Sequence, residues 1–264
     1  MRVEVNGVKL FFDVEGARLV PDGGVMREKP TLILLHGGPG LDHSSYKPAF
    51  SQFTDIAQVV YIDHRGNGRS ERGDPATWNL AQWGDDVKTF CDVLEIEKPI
   101  VLGNSFGGYV AMAYATRHPQ HAGKLILGST RAATPDFERP LAVFRRLGGV
   151  EARDVAAHYF ANASQENRDE FYRVCLPLYN RQPADPNGRK RAVQTTDVLD
   201  HFRRDGGELH TFDFFPCLPG IVCPTLVMGG EDDPMIPIED QEDIAAALPP
   251  QLVRFERFAD CGHG

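Results

Sequence analysis

Cysteine is sparse in this chain and carries no pattern. The five residues, an odd number, stand at Cys91, Cys175, Cys217, Cys223 and Cys261, with no C-x-x-C pair and no regular spacing. That excludes a zinc knuckle or a disulfide framework, so incidental or buried thiols are expected and neither a metal nor an organic cofactor is implied. Cys261 is the exception of interest, because it lies two residues before His263, where a thiol is open to activation. Long apolar runs are also missing. No stretch approaches the roughly 18 apolar residues of a membrane span, and residues 1–7 lack the apolar core of roughly 7–15 residues that a signal peptide needs, so a cytoplasmic location is expected. Positive charge is scarce as well: the formal net charge is -9, and the one dense basic run is Gly188-Arg189-Lys190-Arg191. A surface that tracks phosphates is therefore excluded, and nucleic acid is not an expected partner. The chain has no internal repeat or low-complexity segment.

What is present suits one large α/β unit. A length of 264 residues with 42% apolar content is enough for a sizeable core. The first fifteen residues alternate and turn at Asn6-Gly7, a strong hairpin signal. After a Gly/Pro-containing loop, apolar runs recur at Thr31-Leu32-Ile33-Leu34-Leu35, Val59-Val60-Tyr61-Ile62, Ile100-Val101-Leu102, Leu125-Ile126-Leu127 and Thr225-Leu226-Val227-Met228. Runs that are hydrophobic on both faces fit a parallel sheet covered on both sides. Helical patterns lie between them. The clearest places Leu80, Trp83, Val87, Phe90 and Leu94 on one face through spacings of three and four. The alternation predicts a mostly parallel, doubly wound α/β sheet. It stops between 131 and 217, where helical segments are expected around 141–147, 155–163, 168–179 and 191–204. This stretch reads as an aromatic-rich helical cap inserted into a core made of residues 1–130 and 218–264.

In such a sheet the working groups collect beyond the carboxyl ends of the strands. Gly103-Asn104-Ser105-Phe106-Gly107 follows a predicted strand and opens a predicted helix over 106–118, which fits the G-x-S-x-G nucleophile elbow and makes Ser105 a candidate nucleophile. The glycines are needed because the turn leaves no room for side chains beside the serine backbone. After Leu35 comes His36-Gly37-Gly38-Pro39-Gly40. Its backbone can approach a substrate oxygen, so the Gly38 and Phe106 amides are assigned to an oxyanion hole, with Gly37 as the fallback for the first donor. His36 is expected to be a structural hydrogen-bonding residue. Asp63-His64-Arg65-Gly66-Asn67-Gly68-Arg69-Ser70 offers polar groups that brace neighbouring loops. After Met228, the acidic loop supplies Asp233, chosen over Asp232, as a carboxylate to orient a histidine. His263, on a glycine-flanked loop after the strand-like 252–255, is the one histidine that falls after that acid. The chain order Ser105, Asp233, His263 completes a nucleophile, acid and base.

With these three pieces and the two loops, the chain resembles the α/β-hydrolase-fold enzymes and is most similar to the proline iminopeptidase-like hydrolases. The resemblance spans the core. It implies that Ser105 attacks, His263 shuttles the proton, Asp233 orients His263 and the cap sets specificity, without a cofactor or metal. Three departures stand beside it. The peptidases usually carry Gly-Gly-Ser-Trp-Gly at the elbow, whereas the form here is equally at home among esterases. They hold the substrate's free amino terminus with acidic groups, often one just after the triad acid, where this chain has Pro234; Glu208 or Asp213 could substitute. Family members also continue with a terminal helix after the catalytic histidine, whereas this sequence stops at Gly264. Chain ends fray unless tied down, so either a tail follows in the natural protein or His263 is held less firmly than a general base requires.

The expected activity is serine hydrolysis of a small ester, lactone or short peptide through an acyl-enzyme, as an N-terminal proline aminopeptidase. The alternative is a carboxylesterase or lactonase with an apolar acyl pocket, acyl-homoserine lactones being one class. A non-catalytic binding protein on the same scaffold is the reading from a different class. The sequence carries no signal for oligomeric state.

Overall fold

The computed structural model describes residues 1–182, 185 and 187–264, with only the backbone of residue 189, so the Arg189 side chain of the basic run lies outside it. In chain order the elements are β1 (Arg2–Val5), β2 (Val8–Glu15), β3 (Leu19–Asp22), β4 (Val25–Glu28), β5 (Thr31–Leu35), β6 (Gln58–Ile62), α1 (Leu80–Val93), β7 (Ile100–Asn104), α2 (Phe106–Arg117), β8 (Lys124–Gly128), α3 (Glu138–Ala161), α4 (Gln165–Val174), α5 (Gly188–Arg191), α6 (Thr196–Arg203), β9 (Thr225–Gly230), α7 (Ile238–Ala247) and β10 (Val253–Phe258). An eight-stranded sheet runs in the order β1-β2-β6-β5-β7-β8-β9-β10. β1 and β2 form the hairpin that turns at Asn6-Gly7, and β2 meets β6 antiparallel. Every pairing from β6 to β10 is parallel.

The apolar runs are explained by the period-two geometry of a strand buried on both faces. Ile33 and Leu35 of β5 pack in one cluster with Trp83 and Phe90 of α1 and Tyr114 of α2. Leu32 and Leu34 point to the other side, into a cluster with Tyr46, Val59, Tyr61 and Leu102. Helix α1 starts where Asn79 caps it, its side chain accepting the Gln82 amide at 2.8 Å, which satisfies one of the orphan donors of a helix start.

Four local expectations change, one being that the helix expected around 191–204 begins only at Thr196, after α5 has ended at Arg191. The segment before β5 is a second antiparallel hairpin, β3–β4; it is almost entirely exposed, so it has no buried face to leave an alternating pattern. The expected helices at 141–147 and 155–163 join as α3, a 24-residue run that kinks at Gly149, where φ is +75°. The expected helix over 168–179 begins earlier and ends at Val174, because Pro177 forces a short 3₁₀ turn over Leu176–Leu178. Between β8 and β9 the described residues are otherwise helical or irregular, apart from a single bridge between Ala133 and Asp213.

Candidate active site

Ser105 stands between β7 and α2 with φ 56° and ψ -125°, a backbone state that non-glycine residues seldom adopt. The tight turn is enforced by packing. A Cβ on Gly103 would lie 2.2 Å from the Gly107 carbonyl oxygen, and one on Gly107 would lie 1.9 Å from that of Leu35. The elbow is tied to β8, since the Ser105 amide donates to the Gly128 carbonyl at 2.9 Å and the Thr130 hydroxyl donates to the Ser105 carbonyl at 2.8 Å. Its side chain therefore projects from the sheet edge instead of lying along the strand.

Thirty residues apart in sequence, Asp233 and His263 meet at the same edge. The Ser105 hydroxyl Oγ is 3.0 Å from His263 Nε2, and His263 Nδ1 is 2.8 Å from Asp233 Oδ2. Asp233 is 1% exposed, and its Oδ1 accepts the Met235 and Ile236 amides at 2.8 and 2.9 Å. With Asp233 accepting on that side, Nδ1 carries the proton and Nε2 is left to accept from the serine. Asp232 turns away to ion pairs with Arg146 and Arg181, so the structure brings Asp233, and not its neighbour, to the histidine.

His263 is held by the fold at several points. Its amide donates to the Tyr179 carbonyl at 2.6 Å, the Gly264 amide donates to Asn180 Oδ1 at 2.9 Å, and the Asp232 amide donates to the Cys261 carbonyl at 2.9 Å. The physical reason is a tertiary one: the segment after α4 lies along residues 262–264 and supplies acceptors from 84 residues away. The fit is close enough that a Cβ on Gly262 would lie 1.9 Å from the Tyr179 carbonyl oxygen.

The glycine loop faces the serine. A Cβ on Gly37 would meet Ser105 Cβ at 3.2 Å and Oγ at 3.7 Å, and Gly38 has φ +124°. Among the described residues neither the Gly38 nor the Phe106 amide donates to a protein acceptor; Phe106 is the first residue of α2, where amides have no intrahelical partner. Gly37 lies against the serine and so keeps its place as the alternative donor. The loop is braced from below. His36 Nδ1 donates to the Gly37 carbonyl at 2.8 Å and Nε2 accepts the His64 amide at 3.2 Å. Burial lowers the pKa of His36 and holds that of His64 well below the usual value, so both stay neutral.

Asp63 is taken up by His43 Nδ1 at 2.6 Å and by the Arg69 amide at 2.9 Å. Burial alone would raise the Asp63 pKa, but hydrogen bonding from His43 and the Arg69 amide outweighs it, so its pKa is lowered. Arg65 grips Asp86 through two bonds of 2.8 and 2.7 Å. Both segments are thus supports for the loops. Sequence reasoning missed the partners His43 and Asp86, as it missed Tyr179 and Asn180, because none belongs to a motif; only the chain's path places them. The two carboxylates offered for an ammonium subsite are engaged elsewhere: Glu208 accepts the Leu80 amide at 2.7 Å and Asp213 the Phe215 amide at 2.9 Å.

The model of the alpha/beta hydrolase fold family matches residues 30–264. The chain belongs to this family. Among relatives, it is 26% identical over 263 residues to a proline iminopeptidase of Lactobacillus helveticus (strain DPC 4571), covering 91% of this chain and 85% of the relative. It is 36% identical over 251 residues to a 2-hydroxymuconate semialdehyde hydrolase of Pseudomonas sp. (strain CF600), covering 88% and 80%. Among solved structures, it is similar to the enol-lactonase from Burkholderia xenovorans LB400 with a TM-score of 0.67 and 26% identity, covering 100% of this chain and 92% of the other. This member of the family is a hydrolase, with peptidase, lactonase and esterase relatives. Among the described residues no helix is long and apolar enough to cross a membrane, and no group of three or more metal-ligating side chains is assembled.

Proposed function

We propose that this hydrolase transfers an acyl group to water through a covalent Ser105 ester, with residues 1–130 and 218–264 as the core and 131–217 as the cap. The observation that carries the reading is the relay from Ser105 Oγ through His263 to buried Asp233, at 3.0 and 2.8 Å, on a serine held in a strained elbow. Ser105 Oγ attacks the acyl carbonyl while His263 Nε2 takes its proton. The tetrahedral oxyanion is held by the Gly38 and Phe106 amides, and His263 returns the proton to the leaving group. Water then attacks the ester by the same base, and the acid departs. Asp233 stabilises the imidazolium and fixes the tautomer.

An apolar ester or lactone is the substrate class that the geometry favours. An aminopeptidase needs a carboxylate for the substrate ammonium, and each of the two candidates already has one oxygen accepting a backbone amide, Glu208 from Leu80 and Asp213 from Phe215. Burial further raises the Glu208 pKa, which disfavours an anionic role. Likeness to the proline iminopeptidase of Lactobacillus helveticus keeps N-terminal proline cleavage as the second reading. Hydrolysis of p-nitrophenyl butyrate beside proline p-nitroanilide, with wild type and Ser105→Ala, separates them. Serine-dependent cleavage of the ester alone is expected; serine-dependent cleavage of the anilide would reverse the order of the two readings.

A further inference from the structure

Arg203, at the end of helix α6, is a cation that no carboxylate among the described residues balances. Helix α6 ends with Phe202 and Arg203, and the two side chains have different partners. The Phe202 ring packs edge-on against Phe106, next to the candidate nucleophile, with ring centres 5.0 Å apart. Arg203 instead donates from one terminal nitrogen to the Tyr159 hydroxyl at 2.7 Å, with its guanidinium 4.7 Å from the centre of that ring. Tyr159 stacks on Phe171 at 4.3 Å, and Tyr179 closes the path with contacts to Phe171 at 6.2 Å and His263 at 5.5 Å. The end of α6 thus touches Phe106 through Phe202, and Arg203 joins, through Tyr159, a series of aromatic rings that ends at His263. The charges of Arg203 and Asp233 both act on the Tyr179 hydroxyl.

Among the described residues no carboxylate pairs with Arg203, which is only half-buried and leaves its other guanidinium donors uncommitted. The nearest acid on its own helix face, Asp200, is held by Arg168 at 3.3 Å, and the buried Nε of Arg168 has no partner. Arg168 thus takes that exposed carboxylate and Arg203 is left without one, in a chain whose formal net charge is -9. An arginine that serves only the fold normally finds an anion when acids are this abundant. A planar fork left open beside an aromatic surface matches a carboxylate.

The geometry points to an anion subsite at Arg203 and Tyr159 that receives a carboxylate at the far end of the substrate, so that the preferred acyl compounds are esters or lactones of dicarboxylic acids. This rests on the acyl-transfer reading above and replaces its apolar acyl group with one that ends in a carboxylate. The test compares mono-p-nitrophenyl glutarate, adipate and pimelate with the p-nitrophenyl alkanoates of equal acyl length, using Ser105→Ala as the blank for spontaneous hydrolysis. At least one half-ester should exceed its neutral counterpart about tenfold or more in kcat/KM, the size expected of a charge-assisted hydrogen bond. That ratio should collapse in Arg203→Met and return in part in Arg203→Lys, mainly through KM. Neutral esters cleaved with no preference for any half-ester would overturn the subsite alone. Cleavage of no ester at all would overturn both the subsite and the reading beneath it. A wild-type preference that survives in Arg203→Met would also overturn the assignment, and it does not depend on how well the variant's cap packs.

Discussion

Replacing Gly262 by alanine tests whether the segment at Tyr179 positions His263, the proposed general base. Gly262 does not have the positive φ that would exclude a side chain, so the perturbation acts through space alone. The new Cβ would lie 1.9 Å from the Tyr179 carbonyl oxygen and 2.8 Å from its carbon, where real Cβ atoms essentially never come within 3.0 Å. Both neighbours are backbone, so relief requires the segments to part by roughly 1 Å, and a misplacement of that size costs about 10²-fold in rate. The next residue is His263, whose amide bond to that same carbonyl, now 2.6 Å, would be lost. Gly262→Ala should therefore lose about 10²-fold in kcat on p-nitrophenyl butyrate, roughly 2.7 kcal/mol of barrier, while circular dichroism still reports a folded sheet. Gly24→Ala, at a position with nothing within 4 Å, should leave the rate unchanged. A Gly262→Ala enzyme as active as wild type would refute the idea that the contact positions His263.

The two neighbouring acids should separate cleanly. Asp233→Asn is expected to lower kcat by about 10⁴-fold, since an amide cannot hold the imidazole in the right tautomer, whereas Asp232→Asn, which loses only ion pairs with Arg146 and Arg181, should keep kcat of the same order; single-turnover rates decide. Stability should also fall in mild acid. His36 and His64 stay neutral in the fold because burial lowers their pKa below 6.5, while the unfolded chain takes up protons there. Their contribution is complete above about pH 6.5 and is lost as pH falls toward the folded values, at most about 1.4 kcal/mol for each histidine at pH 5.5. Urea unfolding at pH 7.5 and 5.5 measures this, and removal of His64 by His64→Asn should flatten the slope.

The strands and the serine were legible because their signals are local. The two-sided runs of β5 to β9 follow from burial on both faces, and the elbow carries its own steric requirement in Gly103 and Gly107. The family resemblance was legible as well, and the residues of the proposed relay, Ser105, Asp233 and His263, could be picked out because each lies within a few residues of a strand's end. What the sequence concealed depends on distant segments. Nothing near His263 reveals that Tyr179 and Asn180 hold it, and nothing near Arg203 reveals Tyr159, because both pairings join segments far apart in the chain. The β3–β4 hairpin stayed hidden for the opposite reason: its exposed residues have no core to alternate against. Pro177 was visible, but a helical pattern of apolar spacing ran through it and masked the stop at Val174.

The most direct test of the central claim is covalent labelling. Wild-type enzyme treated with a fluorophosphonate should gain one adduct, which peptide mass spectrometry places on Ser105, and hydrolysis of p-nitrophenyl butyrate should cease in step with it. An enzyme that keeps turning over with Ser105 fully modified, or a Ser105→Ala variant with wild-type turnover, would contradict the account.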